Sequence, residues 1–180
     1  KTYSPETNNT AMVGDLLEQG AEVIGLVRNV ERARRSLDPA LELVHWDFQR
    51  PEEGDWRRRL DRVDGVVHLA GTPLFAKRWT EQFKREMETS RVEGTRQIAA
   101  AIAGAERRPP VFVSASAIGI YGNDSSRHRD ESAPPGNDLL ARLCERWEDE
   151  ARAVEEAGVR LVLARLGIVL SRQAGALKEA

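Results

Sequence analysis

The pattern that most limits the fold of this chain is an alternation of short apolar runs with helical segments. Several of the runs are nearly continuous Val, Ile and Leu, which is typical of parallel strands buried on both faces. The five runs span residues 21–28, 41–48, 64–71, 110–116 and 160–166. Their order with helices between them predicts βαβ units, and therefore an α/β fold with a doubly wound parallel sheet.

Helical patterns fill the spaces between the runs, over residues 11–19, 30–37, 80–105 and 138–157. Gly20 and Gly158 follow two of these segments and are suitable helix stops. Thr80 is a plausible N-cap, and Asn137 or Asp138 could cap the last helix. The long polar stretch 123–137 predicts a loop.

Length and charge narrow the class of protein further. A chain of 180 residues fits one domain, 1–180. Its formal net charge of −2 gives no electrostatic reason to bind nucleic acid or an anionic membrane. No apolar run approaches the ~20 residues of a membrane span. The single cysteine, Cys144, excludes an internal disulfide and a cysteine-based metal cluster, so we expect a cytoplasmic protein without a bound metal.

In a doubly wound sheet, ligands bind at the carboxyl ends of the strands. Arg28 follows the first run, where an arginine can pair with the 2′-phosphate of NADP, although it could also be an ordinary surface residue. Asp47 could accept a hydrogen bond from an adenine amino group, or could only cap the next turn. Leu69, Ala70 and Gly71 end the third run, and small residues there allow a cofactor close to the backbone or form a tight turn.

The segment before residue 11 lacks the features that such a sheet normally has there. A first strand and a glycine-rich phosphate turn are expected, but the sequence reads KTYSPETNNT, without an apolar run or a glycine. Without glycines, a backbone cannot approach a pyrophosphate in the usual way. This absence argues against tight dinucleotide binding by the usual route.

Several stretches carry a family resemblance. They are HLAGTPLFAKRWT (68–80), SRVEGTRQI (90–98), VFVSASAIGIYG (111–122), LCERWEDEA (143–151) and RLGIVLS (165–171). In combination they resemble the extended short-chain dehydrogenase/reductase superfamily, and more narrowly its atypical sugar-nucleotide epimerase-like branch. The resemblance implies an NAD(P)-binding Rossmann domain.

The resemblance also implies roles for individual residues. Arg28 would select NADP over NAD, Asp47 would lie beside the adenine, and residues 69–71 would line the ribose and pyrophosphate. Ser116 matches the catalytic Ser or Thr of the family, with Ser114 as the alternative for that role and otherwise as a cofactor contact, although such hydroxyls often only satisfy local backbone groups. Tyr121 could act as an acid or base from the loop, with packing as its alternative role.

Two departures from the family pattern matter. Ordinary members carry a Tyr and a Lys four residues apart on the helix after the long loop, where the Tyr is the acid/base. The matching positions here are Leu140 and Cys144, which cannot perform that chemistry, and the atypical branch tends to lack the pair. Family members also have a C-terminal substrate lobe, for which this sequence leaves no room, so we expect an incomplete Rossmann domain.

Three functional hypotheses follow. The first is an NADP-dependent oxidoreductase or epimerase-like enzyme that transfers hydride at a hydroxyl or carbonyl of a small molecule, such as a nucleotide sugar. The second is a non-catalytic Rossmann module with a binding or regulatory role. The third is an inactive fragment of a longer enzyme. We also expect self-association through an exposed sheet edge or exposed helix faces.

Overall fold

The computed structural model describes residues 6–74, 77–123 and 128–168. Within these ranges, strands and helices alternate as the sequence predicts, and all five predicted strands are present. The elements are α1 (Glu6–Glu18), β1 (Ile24–Val27), α2 (Val30–Ala33), β2 (Glu42–His45), β3 (Val66–His68), α3 (Glu81–Gly104), β4 (Val111–Ala117), α4 (Leu139–Arg152) and β5 (Arg160–Leu166). Two short 3-10 helices, Trp56–Leu60 and Ile118–Tyr121, were not predicted.

The strands form two parallel groups. Strand β1 pairs with β2, with Ile24 opposite Glu42, and the second group has the order β3-β4-β5, with His68 opposite Ser114. Within the described ranges, no strand joins β1 to β3. This break lies where a first strand would be central to the sheet, which agrees with the polar sequence before residue 11.

The two groups of strands nevertheless share one core. The ring of Trp46, just after β2, lies 5.9 Å from that of His68 on β3, and His68 in turn stacks on Phe112 of β4. Helices α3 and α4 cover this face through the buried side chains of Ile98 and Ala151, among others. The aromatic contacts therefore hold the carboxyl ends of both groups close to each other.

The opposite face is less well covered than the sequence predicts. Strands of a parallel sheet are normally buried on both faces. Val67 on β3 is 42% exposed, and none of the four residues of β1 is fully buried. Burial on both faces is therefore incomplete next to the break between β1 and β3.

Helix boundaries follow local capping chemistry. Thr80 accepts a hydrogen bond from Phe83 N and Asp138 accepts one from Ala141 N, so these are the N-caps of α3 and α4. Gly20 and Gly158 have φ angles of 80° and 79°, which favour glycine. Gly20 follows the end of α1, whereas α4 ends at Arg152, five residues earlier than predicted, and is not stopped by Gly158. Helix α1 begins at Glu6, five residues earlier than the pattern at residue 11 predicts.

No α-helix in ranges 6–74, 77–123 and 128–168 is both long and apolar enough to cross a bilayer. The same residues contain no group of three or more His, Cys, Asp or Glu side chains that could hold a metal ion.

Candidate functional site at the carboxyl ends of the strands

The residues that the sequence singled out as ligand contacts lie just beyond the ends of their strands. Arg28 follows β1, which ends at Val27, and Asp47 comes two residues after β2. Residues 69–71 follow β3 directly, and Ser116 is the penultimate residue of β4. Because the strands are parallel within each group, these residues lie at the edge where α/β sheets bind ligands.

Arg28 and Asp47 differ in whether their side chains form hydrogen bonds or ion pairs within the described part of the chain. Arg28 is exposed, and no hydrogen bond or ion pair joins its guanidinium to the described part of the chain. Asp47 accepts a hydrogen bond from Gln49 N at 3.0 Å and lies 3.5 Å from Arg50 Nη2. Asp47 therefore caps the following turn, and its contact with adenine stays a prediction.

The segment after β3 is held from helix α3. Thr72 N donates to Ser90 Oγ at 3.0 Å, and Thr72 O accepts from Arg91 Nη1 at 2.9 Å. A β-carbon on Gly71 would lie only 3.2 Å from Arg91 Cζ, so a side chain there would force the guanidinium to move. Gly71 is thus needed for a close approach by Arg91.

The hydroxyl of Ser116 is part of a buried polar network. Ser116 Oγ donates to Glu148 Oε1 of α4 at 2.6 Å. Arg165 of β5 binds the same carboxylate at two points, with Nε 2.8 Å from Oε1 and Nη2 3.0 Å from Oε2. Ser116 and Glu148 are only 2% and 3% exposed, so this network ties the end of β4 to α4 and β5.

Tyr121 joins the same network from the other side of Arg165. Arg165 Nη1 donates to the hydroxyl oxygen of Tyr121 at 2.8 Å and to the carbonyl of Glu131 at 3.0 Å. Because Tyr121 accepts from Arg165, its own proton is available to another acceptor. The structure thereby connects the two predicted catalytic residues, Ser116 and Tyr121, through Glu148 and Arg165.

The electrostatics of the network favour the ionised pair. Burial by itself would raise the pKa of Glu148, but hydrogen bonds from Arg165 and Ser116 more than offset it and hold that pKa below its usual value. The hydrogen bond with Glu148 raises the pKa of Arg165. Both groups are therefore charged at neutral pH.

Ser114, the alternative to Ser116, lies inside the core. Its side chain is fully buried, and its hydroxyl donates to the carbonyl of Ala115 at 3.4 Å. His68, opposite it on β3, is also buried, and burial lowers the pKa of its imidazole to about 4. Both side chains belong to the packed interior, whereas Ser116 connects with the network at the strand ends.

Helix α4 carries no acid/base pair at the positions where ordinary family members have Tyr and Lys. Cys144 at the second position is buried, and burial raises the pKa of its thiol to about 11. A thiol with so high a pKa is protonated and unreactive at neutral pH. The catalytic roles predicted for Ser116 and Tyr121 stay predictions.

An open pocket of about 510 Å³ adjoins Tyr121. Gly122, Gly136 and Asp138 are among the described residues that line it. Its volume is within the range of small-molecule sites, roughly 300–1,000 Å³. The pocket places a polar cavity beside the Tyr121 side chain.

Sequence reasoning missed Glu148, Arg165 and Arg91 as site residues. The signal for Glu148 was a carboxylate four residues after Cys144 and one after Trp147, on the buried face of α4. A buried carboxylate requires a cationic partner. Nothing in the sequence showed that this partner would be Arg165, because it lies on a different element.

Comparisons with known proteins identify the family to which the chain belongs. The family model described as the NAD dependent epimerase/dehydratase family matches residues 10–167. An epimerase family protein of Mycobacterium leprae is 39% identical over 139 residues, which are 77% of this chain and 44% of that protein. An epimerase family protein of Bacillus subtilis is 33% identical over 169 residues, 92% of this chain and 52% of that protein. The chain thus spans about half the length of these relatives.

Solved structures agree. A human epimerase family protein, crystallised with NADPH, superposes with a TM-score of 0.77 at 28% identity, covering 94% of this chain and 53% of that one. The UDP-glucuronic acid 4-epimerase of Bacillus cereus, solved with NAD, gives a TM-score of 0.72 at 17% identity, over 92% of this chain and 55% of its own. The Rossmann-type fold is therefore confirmed, and so is the family resemblance noted in the sequence. The chain belongs to the NAD-dependent epimerase/dehydratase family.

Proposed function

We propose that this chain binds NADP at the carboxyl ends of its strands, as the cofactor-binding part of an oxidoreductase or epimerase. The observation that carries this proposal is Arg28, an exposed guanidinium without a partner in the described ranges, directly after β1. An unpaired arginine at this point can neutralise the 2′-phosphate that distinguishes NADP from NAD. The human relative crystallised with NADPH supports the same choice.

The residues present fit part of a dinucleotide. Gly71 lies in the segment directly after β3, with Arg91 beside it, and Arg28 supplies a cation without a partner in the described ranges at the end of β1. The usual glycine turn has no counterpart in the described residues before β1, where Gly14 lies within α1 and Gly20 follows it. Contacts with the pyrophosphate must therefore come from elsewhere in the site.

A bound nicotinamide would supply or accept a hydride at its ring. The phenol of Tyr121 is oriented by Arg165 and keeps a proton that it can donate to a substrate carbonyl. The hydroxyl of Ser116 donates to Glu148, so its oxygen can accept a hydrogen bond from a substrate hydroxyl. Tyr121 would thus donate a proton to the substrate when it is a carbonyl, and Ser116 would accept a hydrogen bond when it is a hydroxyl.

The substrate class that we propose is a small molecule with a secondary hydroxyl or a carbonyl, such as a nucleotide sugar. The pocket beside Tyr121 has the volume for a sugar ring. Tyr121→Phe should lower the rate of hydride transfer while the dissociation constant of NADPH stays unchanged.

The proposal is tested by titrating the chain with NADPH. Of its four tryptophans, Trp46 follows β2 and Trp147 lies against Arg91, so both are placed to report binding by fluorescence. Saturable quenching by NADPH, stronger than by NADH, is the expected result. The absence of a saturable response to either dinucleotide would refute the proposal.

A second candidate function is a binding or regulatory module without catalysis. The observation that favours it is the pair Leu140 and Cys144, which occupy the positions of the usual Tyr and Lys. The two candidates differ in one measurement, the oxidation of NADPH with a panel of sugar and small ketone substrates. Turnover that Tyr121→Phe abolishes supports the enzyme, whereas tight NADPH binding without turnover supports the module.

A further inference from the structure

Two consecutive residues of α3 hold the backbone of Thr72. Ser90 Oγ accepts from Thr72 N and donates to the Met87 carbonyl, both at 3.0 Å. Arg91 Nη1 donates to Thr72 O at 2.9 Å and to the Met87 carbonyl at 3.2 Å. The position of the segment after β3 is therefore set by α3, and Arg91 lies directly beside it.

The charge of Arg91 is not neutralised by the described residues. Its contacts there are the two carbonyls and the face of Trp147, whose ring centre lies 5.3 Å from Cζ. Burial lowers the pKa of Arg91, and the nearby Cys144 thiol is kept neutral by its own raised pKa of about 11. Arg91 is only partly exposed, and cations withdrawn from water are normally paired with an anion, so within the described ranges this guanidinium lacks its usual counter-charge.

The Nε side of this guanidinium lies beside the segment that follows β3. A β-carbon on Gly71 would lie 3.4 Å from Arg91 Nε, so this nitrogen adjoins the Gly71 backbone at the end of β3. Hydrogen bonds engage Nη1, whereas Nε and Nη2 have no partner in the described ranges. Neither is among the fully buried polar atoms without partners, so neither atom is completely enclosed. An Nε–Nη2 edge is the fork that binds phosphate oxygens at two points.

We propose that Arg91 binds a phosphate or pyrophosphate group beside Gly71, at the carboxyl end of β3. This inference rests on the proposed function, because it names the residue that contacts the anionic part of the ligand. A guanidinium fork would supply charge and hydrogen bonds where a glycine turn normally supplies backbone N–H groups. The anion belongs either to the pyrophosphate of a dinucleotide or to the diphosphate of a nucleotide sugar.

The test compares Arg91→Gln, which removes the charge, with Arg91→Lys, which keeps the charge but loses the fork. Arg85→Gln is the matched control, because Arg85 is an exposed arginine on the same helix. Dissociation constants of inorganic pyrophosphate, NADPH and uridine diphosphate are measured by calorimetry on the 180-residue chain. We expect Arg91→Gln to weaken pyrophosphate binding about 10- to 100-fold, Arg91→Lys to weaken it less, and Arg85→Gln to change nothing.

The nucleotides identify the source of the anion. If NADPH binding weakens and uridine diphosphate binding does not, the anion is the pyrophosphate of the dinucleotide, and the reverse result assigns it to the nucleotide sugar. Gly71→Ala is a second variant that keeps the charge but displaces the fork, and it should also weaken pyrophosphate binding. If circular dichroism shows that Arg91→Gln does not fold, Gly71→Ala replaces it as the variant that tests the anion site.

The outcomes separate this inference from the proposed function. If folded Arg91→Gln binds all three ligands as tightly as the parent, Arg91 is not an anion site, but the proposal that the chain binds NADPH is unaffected. The same conclusion applies to Gly71→Ala where Arg91→Gln does not fold. Arg91-dependent binding of pyrophosphate without binding of NADPH supports the site and overturns the proposed function. A chain that binds none of the three ligands contradicts both.

Discussion

Glu148 and Arg165 form a two-point ion pair in which the carboxylate is almost completely buried, at 3% exposure, and the arginine side chain is 18% exposed. The pair joins α4 to β5, and through Ser116 it also holds the end of β4. A buried ion pair gains little over apolar residues of the same size, but the loss of one partner leaves an unpaired charge. Because of this asymmetry, the stability of the fold should be sensitive to the loss of the Glu148 charge.

Glu148→Gln is therefore expected to destabilise the fold. The variant keeps the shape of the side chain but leaves Arg165 without a counter-charge at its Nε and Nη2 atoms. We expect the free energy of unfolding, measured in urea, to fall by about 3 kcal/mol. Glu145→Gln, at an exposed position on the same helix, is the control and should stay within ~0.5 kcal/mol of the parent. Equal stabilities of the two variants would show that the ion pair does not hold α4.

The Glu148–Arg165 pair should also make the free energy of unfolding depend on pH. The folded-state pKa of Glu148 lies below its ordinary value of 4.5, so its contribution is complete above pH 4.5 and is lost as pH falls through the folded-state value. The difference in unfolding free energy between the parent and Glu148→Gln should be constant from pH 7 to about pH 5 and shrink below that. A difference that grows on acidification would be inconsistent with a depressed pKa.

The burial of His68 predicts a second loss of folding stability on acidification, which begins at a higher pH than the one caused by Glu148. Its pKa is lowered by burial from 6.5 to about 4, so the unfolded chain takes up a proton that the folded chain does not. Stability is complete above pH 6.5 and declines by up to about 3 kcal/mol as pH falls to 4. His68→Phe, which suits the aromatic neighbours Trp46 and Phe112, should remove this decline. A parent chain whose stability is flat between pH 6.5 and 4.5 would count against a neutral, buried His68.

The positions of the strands could be predicted from sequence because apolar runs report burial directly. Strand β5 occupies residues 160–166 as predicted, but β3 is limited to Val66–His68 instead of residues 64–71. Its run is apolar enough for a longer strand, yet β4 is its single partner in the described ranges, so fewer residues are paired. Strand length depends on neighbours that the run itself does not encode.

The candidate site could be predicted only in part. Ser116 and Tyr121 were found because they belong to a recognisable stretch, and Gly71 because small residues at a strand end have a physical use. Glu148 and Arg165 are 17 residues apart on different elements, and Arg91 lies 19 residues from Thr72. Pairings at such separations arise from the packing of α3 and α4 on the sheet, which local sequence patterns do not specify.

The break between β1 and β3 leads us to propose self-association. Each of these strands has one partner in the described ranges, and unpaired strand edges promote pairing between chains. Val67→Lys should shift the chain towards monomer in sedimentation velocity, since charged residues at an edge oppose such pairing. Val67→Thr keeps β propensity without the charge and is the control. A parent chain that sediments as a monomer at all accessible concentrations would contradict this proposal.

The role proposed for Arg28 can be measured as selectivity for NADP over NAD. The measurement is the ratio of the NADH and NADPH dissociation constants for the parent, for Arg28→Gln, and for Arg35→Gln, another exposed arginine, as control. We expect the parent to bind NADPH at least about 10-fold more tightly than NADH, because a charge-assisted contact contributes about 1.5–3 kcal/mol. Arg28→Gln should bring the ratio close to one, while Arg35→Gln leaves it unchanged. A parent chain that binds NADPH no more tightly than NADH, or a ratio that Arg28→Gln does not alter, would show that Arg28 does not bind the 2′-phosphate of NADP.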